Sequence, residues 1–250
     1  MTPPPQNLSF WDHLDVLRGD IIRILIAAFA MAVVAFGLKD FLFDLVLAPS
    51  RDDFFIYRWV GAGDFDLHLI NTGLTEQMMI HLKVSLMAGI LFASPYILYV
   101  LFHFISPALY ENERRYSVRI TVAAYAMFLV GMAVCYVLIF PLTVRFLGTY
   151  QVSTDIDNML TISSYVDTLL TMLLVFGLVF EIPVITWLLA RFGLLKAEWM
   201  SRYRRHAIIA IVALTAIITP TTDILSLIIV SLPIWLLYEG SILLVRISEK

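Results

Sequence analysis

Hydrophobic residues in this chain fall into six runs separated by polar segments. The first four runs exceed the roughly 20 residues that an α-helix needs to cross the hydrocarbon of a bilayer. Because none alternates with the period of two that barrel strands require, the pattern predicts membrane-spanning helices. The runs cover Ile21–Leu47, Met78–Ile105, Ile120–Leu142, Val166–Leu189, Ala207–Ile218 and Ile224–Leu237, the last with a tail to Val245.

The last two runs are short, and a tight turn containing Pro220 and Asp223 separates them. They therefore predict a hairpin of two short spans. At 1.5 Å per residue each run measures about 20 Å, less than a hydrocarbon core of about 30 Å. We therefore expect the bilayer to thin locally around this hairpin.

Four prolines lie within the predicted spans or at their ends. Proline removes a backbone donor and bends its helix. The four are compatible with a curved wall of helices and equally with the ordinary kinks of membrane helices. They are Pro95, Pro141, Pro183 and Pro233.

Composition also favours a membrane protein. Hydrophobic residues make up 60% of the chain and charged residues 15%, with a mean hydropathy of +0.87. In soluble domains hydrophobic residues make up roughly 45–50% and charged residues about 25%. The net charge of −3 argues against nucleic-acid binding. The N-terminus lacks the basic region and cleavage site of a signal peptide, so we expect the first run to remain as a span.

Catalytic and metal-binding chemistry finds little support. Cys135, the single cysteine, stands in an apolar run and is predicted to be a small buried side chain. The five histidines are scattered, and no phosphate loop, dinucleotide fingerprint or nucleophile elbow occurs. We therefore expect neither an enzyme nor a bound cofactor or metal.

Basic residues predict the orientation. With the N-terminus inside, twelve of the seventeen Lys and Arg residues fall on inner segments, in keeping with the positive-inside rule. Both termini are therefore predicted to be cytoplasmic, and 1–250 to form a single membrane domain. The predicted inner parts are 1–20, 106–118, 192–206 and 246–250, and the outer caps are 48–76 and 148–165.

Glu181 is the candidate for intramembrane function, because it lies near the middle of the fourth span. A carboxylate facing lipid at that depth costs at least about 2.5 kcal/mol. It should therefore face water or a partner, or be protonated. The alternative is a structural carboxylic acid bonded between helices. Pro183 frees a carbonyl nearby, which keeps this stretch polar.

Other carboxylates lie close to arginines at the predicted inner surface. Glu113 precedes Arg114 and Arg115, which either neutralise it in place or leave it to bind a cationic ligand, since carboxylates pair well with guanidinium groups. Before the first span, Asp15 and Arg18 share one helical face. Asp223 is placed to cap the start of the sixth span, and Glu239 lies near the inner end of that span.

Several motifs in this order resemble the TatC family, the multi-span component of the twin-arginine translocase. The stretch Phe104–Arg115 and the stretch Phe176–Pro183 are the most specific. The resemblance runs from about residue 10 to 246. The matching stretches are His13–Arg18, Ala48–Pro49, Ser94–Tyr99, Phe104–Arg115, Tyr136 with Phe140–Pro141, Phe176–Pro183 and Thr219–Asp223.

The resemblance implies a receptor for paired-arginine signal peptides of folded precursors, with six helices in a concave, glove-like wall. Its partners would be the single-span TatA and TatB proteins and further copies of itself, and its energy source the proton motive force. It implies a signal-peptide site containing Glu113, Asp15, Arg18, Phe104, Arg114 and Arg115. It places Glu181, Pro183 and Tyr136 in an intramembrane groove, and Pro49, Pro95, Asp223 and Glu239 in structural or partner-contact positions.

One position departs from the family pattern. Val16 stands where the family typically has a glutamate, and Asp15 precedes it. Moving a carboxylate by one residue rotates it by about 100° around a helix. Either a changed helix rotation lets Asp15 compensate, or Glu113 carries the charge pairing alone.

Two other function classes remain as alternatives. A secondary transporter or channel would use Glu181 as a proton or cation site, but it needs further polar groups along a path, and the first three spans offer very few. An intramembrane enzyme would need a nucleophile paired with a base, and Glu181 has no such companion in the sequence.

Overall fold

The computed structural model describes residues 10–51, 53–59, 67–105, 117–149, 159–219 and 224–249, and most of them are helical. A 3₁₀ turn covers Ala48–Ser50 and a π-helical turn covers Cys135–Ile139. Two short strands are β1 (Leu69–Ile70) and β2 (Leu160–Thr161). The helices are α1 (Phe10–Gly37), α2 (Lys39–Leu47), α3 (Phe55–Trp59), α4 (Glu76–Ile105), α5 (Ser117–Val134), α6 (Phe140–Thr149), α7 (Ile162–Val179), α8 (Ile182–Arg191), α9 (Ala197–Arg202), α10 (Arg204–Ile218) and α11 (Ile224–Ser248).

Each of the six hydrophobic runs forms helix. Among the described residues, five helical stretches are long and apolar enough to cross a membrane, and the 15-residue α10 is shorter. At 1.5 Å per residue α10 measures about 22 Å, as predicted for a short fifth span. The five long stretches are Leu14–Gly37, Glu76–Phe104, Ile120–Thr149, Ile162–Arg191 and Ile224–Ser248.

The prediction that the sixth span is short was wrong. Helix α11 has 25 residues, or about 38 Å. Pro233 lies inside it without ending it, because membrane helices tolerate the lost backbone bond. Glu239 also fits into the helix, since it pairs with Arg204. The expectation of a thinned bilayer therefore depends on α10 alone.

The chain forms two compact units. One comprises the described parts of Met1–Leu38 and Ser85–Tyr125, and the other those of Lys39–Val84 and Ala126–Lys250. In the first unit α1 meets α4 at small residues. A Cβ on Gly89 would lie 2.5 Å from the backbone nitrogen of Ala32. This approach is typical of membrane helices, whose association depends on close backbone packing.

In the second unit, α7 supplies the centre of the core. Val166, Leu169, Met172 and Phe176 are all fully buried. Their spacing of three or four residues places them on one face of the helix. A separate cluster joins α9 to α11, where the hydroxyl of Tyr238 donates to the carbonyl of Met200 at 2.9 Å.

The two predicted outer caps are joined by a pair of parallel strands in the second unit. Leu69 lies opposite Leu160 and Ile70 opposite Thr161. The side chain of Thr161 then accepts the backbone N–H of Ser164 and so caps α7. The position of these two segments outside the membrane stays a prediction.

Candidate functional site

The predicted signal-peptide site lies only partly within the described residues. Asp15 and Arg18 are exposed on α1, and Phe104 is half-buried near the end of α4. No ion pair joins Asp15 to Arg18 within this described helix. The other predicted members, Glu113, Arg114 and Arg115, lie outside the described residues.

The packing of the first unit brings Arg18 and Phe104 to one end. The contact between Ala32 and Gly89 fixes the level at which α1 and α4 meet. Arg18 precedes Ala32 by about four helical turns, and Phe104 follows Gly89 by about four turns. Because consecutive spans cross a membrane in opposite directions, both residues reach the same end of this helix pair.

Sequence reasoning missed Asp20, which lies on α1 within this unit. Its side chain is largely buried and accepts a hydrogen bond from the Arg23 guanidinium at 3.0 Å. The spacing of three residues is the signal that could have found the pair. Arg23 thus compensates the charge of the largely buried Asp20 carboxylate, while its own side chain stays exposed.

Glu181 lies at a helix break in the second unit. Helix α7 ends at Val179 and α8 begins at Ile182, with Pro183 in its first turn. Proline cannot donate to a carbonyl four residues earlier, so a new helix starts here rather than a continuous one. The Glu181 N–H bonds to Leu178 O at 3.1 Å, but its side chain caps neither helix.

The Glu181 carboxyl group is buried and finds no hydrogen-bond partner in the described part of the chain. The residue is 5% exposed, and neither Oε1 nor Oε2 contacts a donor there. Leaving a buried polar group unpaired costs about 1–3 kcal/mol, more for a charged one. The predicted structural alternative, a carboxylic acid bonded between helices, is absent from the described residues. The group is therefore available to a partner outside the described residues.

Close helix packing surrounds the break. A Cβ on Gly131 of α5 would lie 2.6 Å from Phe176 O and 2.7 Å from the Phe180 side chain. A Cβ on Gly177 would lie 2.6 Å from the Phe128 ring. These glycines let α5 and α7 approach so closely that the segment leading into Glu181 has little room to move.

Tyr136 has a structural contact at the end of α2. Its hydroxyl donates to Leu45 O at 2.6 Å, and the Tyr165 hydroxyl donates to Val46 O at 3.0 Å. The Tyr57 hydroxyl lies 2.7 Å from the carbonyl of Pro49. Burial raises the pKa of Tyr57, so this hydroxyl keeps the proton that it donates. The groove role of Tyr136 stays a prediction.

The remaining predicted positions fall into three places. Pro95 lies inside α4, and Ser94 Oγ donates at 2.6 Å to Leu91 O, the carbonyl that Pro95 cannot serve. Glu239 accepts from Arg204 at 2.8 Å and so joins α11 to α10. Asp223, predicted to cap α11, lies outside the described residues.

Sequence reasoning also missed an ion pair between α4 and α7. Lys83 Nζ lies 2.7 Å and 2.9 Å from the two carboxylate oxygens of Asp167. Both residues belong to stretches apolar enough to span a membrane. They are 84 positions apart, so no local spacing could have revealed the pair.

Comparisons with known proteins agree with this picture. A family model described as Sec-independent protein translocase protein (TatC) matches residues 12–233. The TatC protein of Koribacter versatilis (strain Ellin345) is 35% identical over 237 residues, covering 95% of this chain and 84% of the relative. The TatC protein of Desulforapulum autotrophicum is 33% identical over 250 residues, covering 100% of this chain and 88% of the relative.

A solved structure shares the fold. The crystal structure of a twin-arginine translocase receptor, TatC, superposes with a TM-score of 0.80 at 29% identity, covering 95% of this chain and 100% of that one. A second crystal structure, of the receptor in the detergent DDM, gives the same TM-score over 93% of this chain. The predicted all-helical, multi-span membrane fold is thereby confirmed.

Proposed function

Because the chain belongs to the TatC family of Sec-independent protein translocase proteins, we propose that it binds the paired-arginine signal peptides of folded precursors at the cytoplasmic face of the bacterial plasma membrane. The observation that carries this proposal is the likeness to a twin-arginine translocase receptor over nearly the whole chain. The function is recognition and transport, and no covalent chemistry is needed.

Charge pairing is the proposed basis of recognition. Two arginines that arrive together need carboxylates in a partly desolvated site, where the guanidinium fork bonds a carboxylate through two parallel hydrogen bonds. Lysine offers a point charge and fits less well. Glu113 is the proposed main acceptor, with Asp15 a second carboxylate near the same interface.

The other proposed members support this site. Arg18, Arg114 and Arg115 balance the carboxylates when no peptide is bound, and Phe104 offers an apolar surface beside them. Arg18 and Phe104 reach the same end of the α1–α4 pair, which supports placing them together. The apolar part of the signal peptide then lies along the membrane-spanning helices.

Glu181 is proposed to meet a polar group of the signal peptide or of a partner helix. Its support is the buried carboxyl group that finds no donor among the described residues. The proposed partners are TatA- and TatB-type single-span proteins and further copies of this chain, with Pro49, Asp223 and Glu239 in structural or partner-contact positions. Both termini are proposed to be cytoplasmic, and the proton motive force is the proposed energy source.

Export of a folded reporter tests this function. The chain would be expressed with TatA- and TatB-type partners from its own source in a bacterium that lacks its TatC protein. We expect export of a reporter whose signal carries Arg-Arg and little export with Lys-Lys. Equal export of both reporters, or none although the chain inserts and assembles with the partners, would refute the proposal.

A further inference from the structure

An apolar groove runs between α10 and α11 in the second unit. Its volume is about 200 Å³, and it is open along one side. The hydroxyl of Ser231, its polar lining residue, bonds back to Ile228 O at 3.4 Å, so the surface presented is apolar. Its walls include Ile208 and Val212 of α10 and Ile228, Ser231, Leu232 and Trp235 of α11.

An ion pair closes one end of the groove. Arg204 Nη2 lies 2.8 Å from Glu239 Oε2. Arg204 is four residues before Ile208, and Glu239 is four residues after Trp235. Residues four apart stack on one helical face, so the pair lies about one turn beyond the lining. Polar and apolar surfaces therefore meet at this end.

Arg205 supplies a further positive charge at the same end. It precedes Ile208 by three residues and Val212 by seven, and therefore shares their helical face. It is exposed, and it forms no ion pair within the described parts of the chain. Because Glu239 already compensates the charge of Arg204, the charge of Arg205 remains for an anion.

We propose that this groove binds an anionic phospholipid, with one acyl chain along the groove and the phosphate at Arg205. Basic residues between membrane helices hold lipid headgroups, and the guanidinium fork matches a phosphate. The apolar lining suits an acyl chain, and an apolar partner helix in the same place would leave Arg205 without an anion.

The short α10 distinguishes this site from ordinary lipid contact. At 15 residues it measures about 22 Å, against about 30 Å for a hydrocarbon core. A bilayer that thins around so short a span brings its headgroups towards both ends of α10, and therefore towards Arg205 in its first turn.

Fluorescence quenching of Trp235 tests the proposal in the full chain. A variant with Trp11, Trp59, Trp187 and Trp199 replaced by Phe keeps Trp235 alone. It would be reconstituted into phosphatidylcholine vesicles with increasing fractions of phosphatidylglycerol brominated in its acyl chains, and separately with equally brominated phosphatidylcholine. We expect phosphatidylglycerol to quench with a preference of about fivefold, the size expected of one arginine near a membrane surface.

Three further variants separate the site from general attraction. Arg205→Gln should abolish the preference, whereas Arg246→Gln, which removes an exposed charge from the last turn of α11, should retain it. Val212→Phe fills the groove and should lower quenching by the anionic lipid without touching any charge. Equal quenching by the two lipids, or an unchanged preference in Arg205→Gln, would overturn the proposal and leave the groove to bulk lipid or a partner.

Discussion

The Tyr136 hydroxyl donates a 2.6 Å hydrogen bond to the carbonyl of Leu45. In a continuous helix that carbonyl would accept from the residue four positions later, which is Pro49 and has no N–H. A side chain 91 residues away in sequence therefore serves the acceptor that the proline leaves open. Ser94 likewise donates to Leu91 O, the carbonyl that Pro95 leaves open. In both motifs, Ala48–Pro49 and Ser94–Tyr99, a side-chain hydroxyl therefore replaces the donor that the proline lacks.

Removing this hydroxyl should destabilise the protein. Tyr136→Phe leaves Leu45 O without its donor, and we expect a loss of about 1–3 kcal/mol in the free energy of unfolding. In a Pro49→Ala background the loss should be smaller, because the new N–H can bond to Leu45 O. Denaturant unfolding of the purified protein in micelles measures the double-mutant cycle.

Tyr165→Phe is the matched control for that cycle. The Tyr165 hydroxyl donates to Val46 O. In a continuous helix Val46 O would accept from the residue four positions later, which is Ser50 and has an N–H. The Tyr165→Phe substitution should therefore lower the free energy of unfolding by the same amount with Pro49 or with Ala at position 49. If the Tyr136→Phe loss is also independent of position 49, the explanation of this bond is wrong.

Packing beside Glu181 should tolerate no extra methyl group on α5. Gly131→Ala puts a Cβ against a backbone oxygen and Phe180. Overpacking of this kind lowers the free energy of unfolding by about 1–3 kcal/mol. Gly240→Ala has nothing within 4 Å of its Cβ and should be neutral or slightly stabilising. Equal stabilities of the two variants would contradict the close packing.

Glu181 should be needed for export but not for stability. Because its carboxyl group has no donor within the described chain, Glu181→Gln removes no internal bond, and we expect unchanged or slightly higher thermal stability. Export of an Arg-Arg reporter should fall if a partner pairs with the carboxyl group. Lower stability together with normal export would instead favour the structural interpretation.

The ion pair of Lys83 and Asp167 should matter most when only one partner is removed. Each side chain is 46% exposed, and an unpaired charge in a span costs about 2.5–3.5 kcal/mol at the bilayer centre, less towards the ends. We expect Asp167→Asn or Lys83→Met to destabilise the protein in nanodiscs, and Lys83→Met/Asp167→Leu to be closer to the wild type. A double variant as unstable as the sum of the singles would contradict this.

The hydrophobic pattern predicted the helices well, because a membrane admits few other backbone structures. It misjudged α11, since Pro233 and Glu239 look like interruptions in sequence but are accommodated by the helix and by Arg204. The bonds of Tyr136 and Lys83 join residues distant in sequence and depend on packing geometry. The unpaired state of Glu181 likewise appears only when its surroundings are known, although its depth in a span had marked it.

The central claim is recognition of paired arginines through Glu113. We would measure binding of an Arg-Arg signal peptide and its Lys-Lys counterpart to the purified protein, with Glu113→Ala and, from the same loop, Glu111→Ala as a matched control. Loss of a charged hydrogen bond of about 1.5–3 kcal/mol should weaken Arg-Arg binding roughly 10- to 100-fold in Glu113→Ala alone. If both variants bind both peptides as the wild type does, Glu113 is not the acceptor and the account of recognition is contradicted.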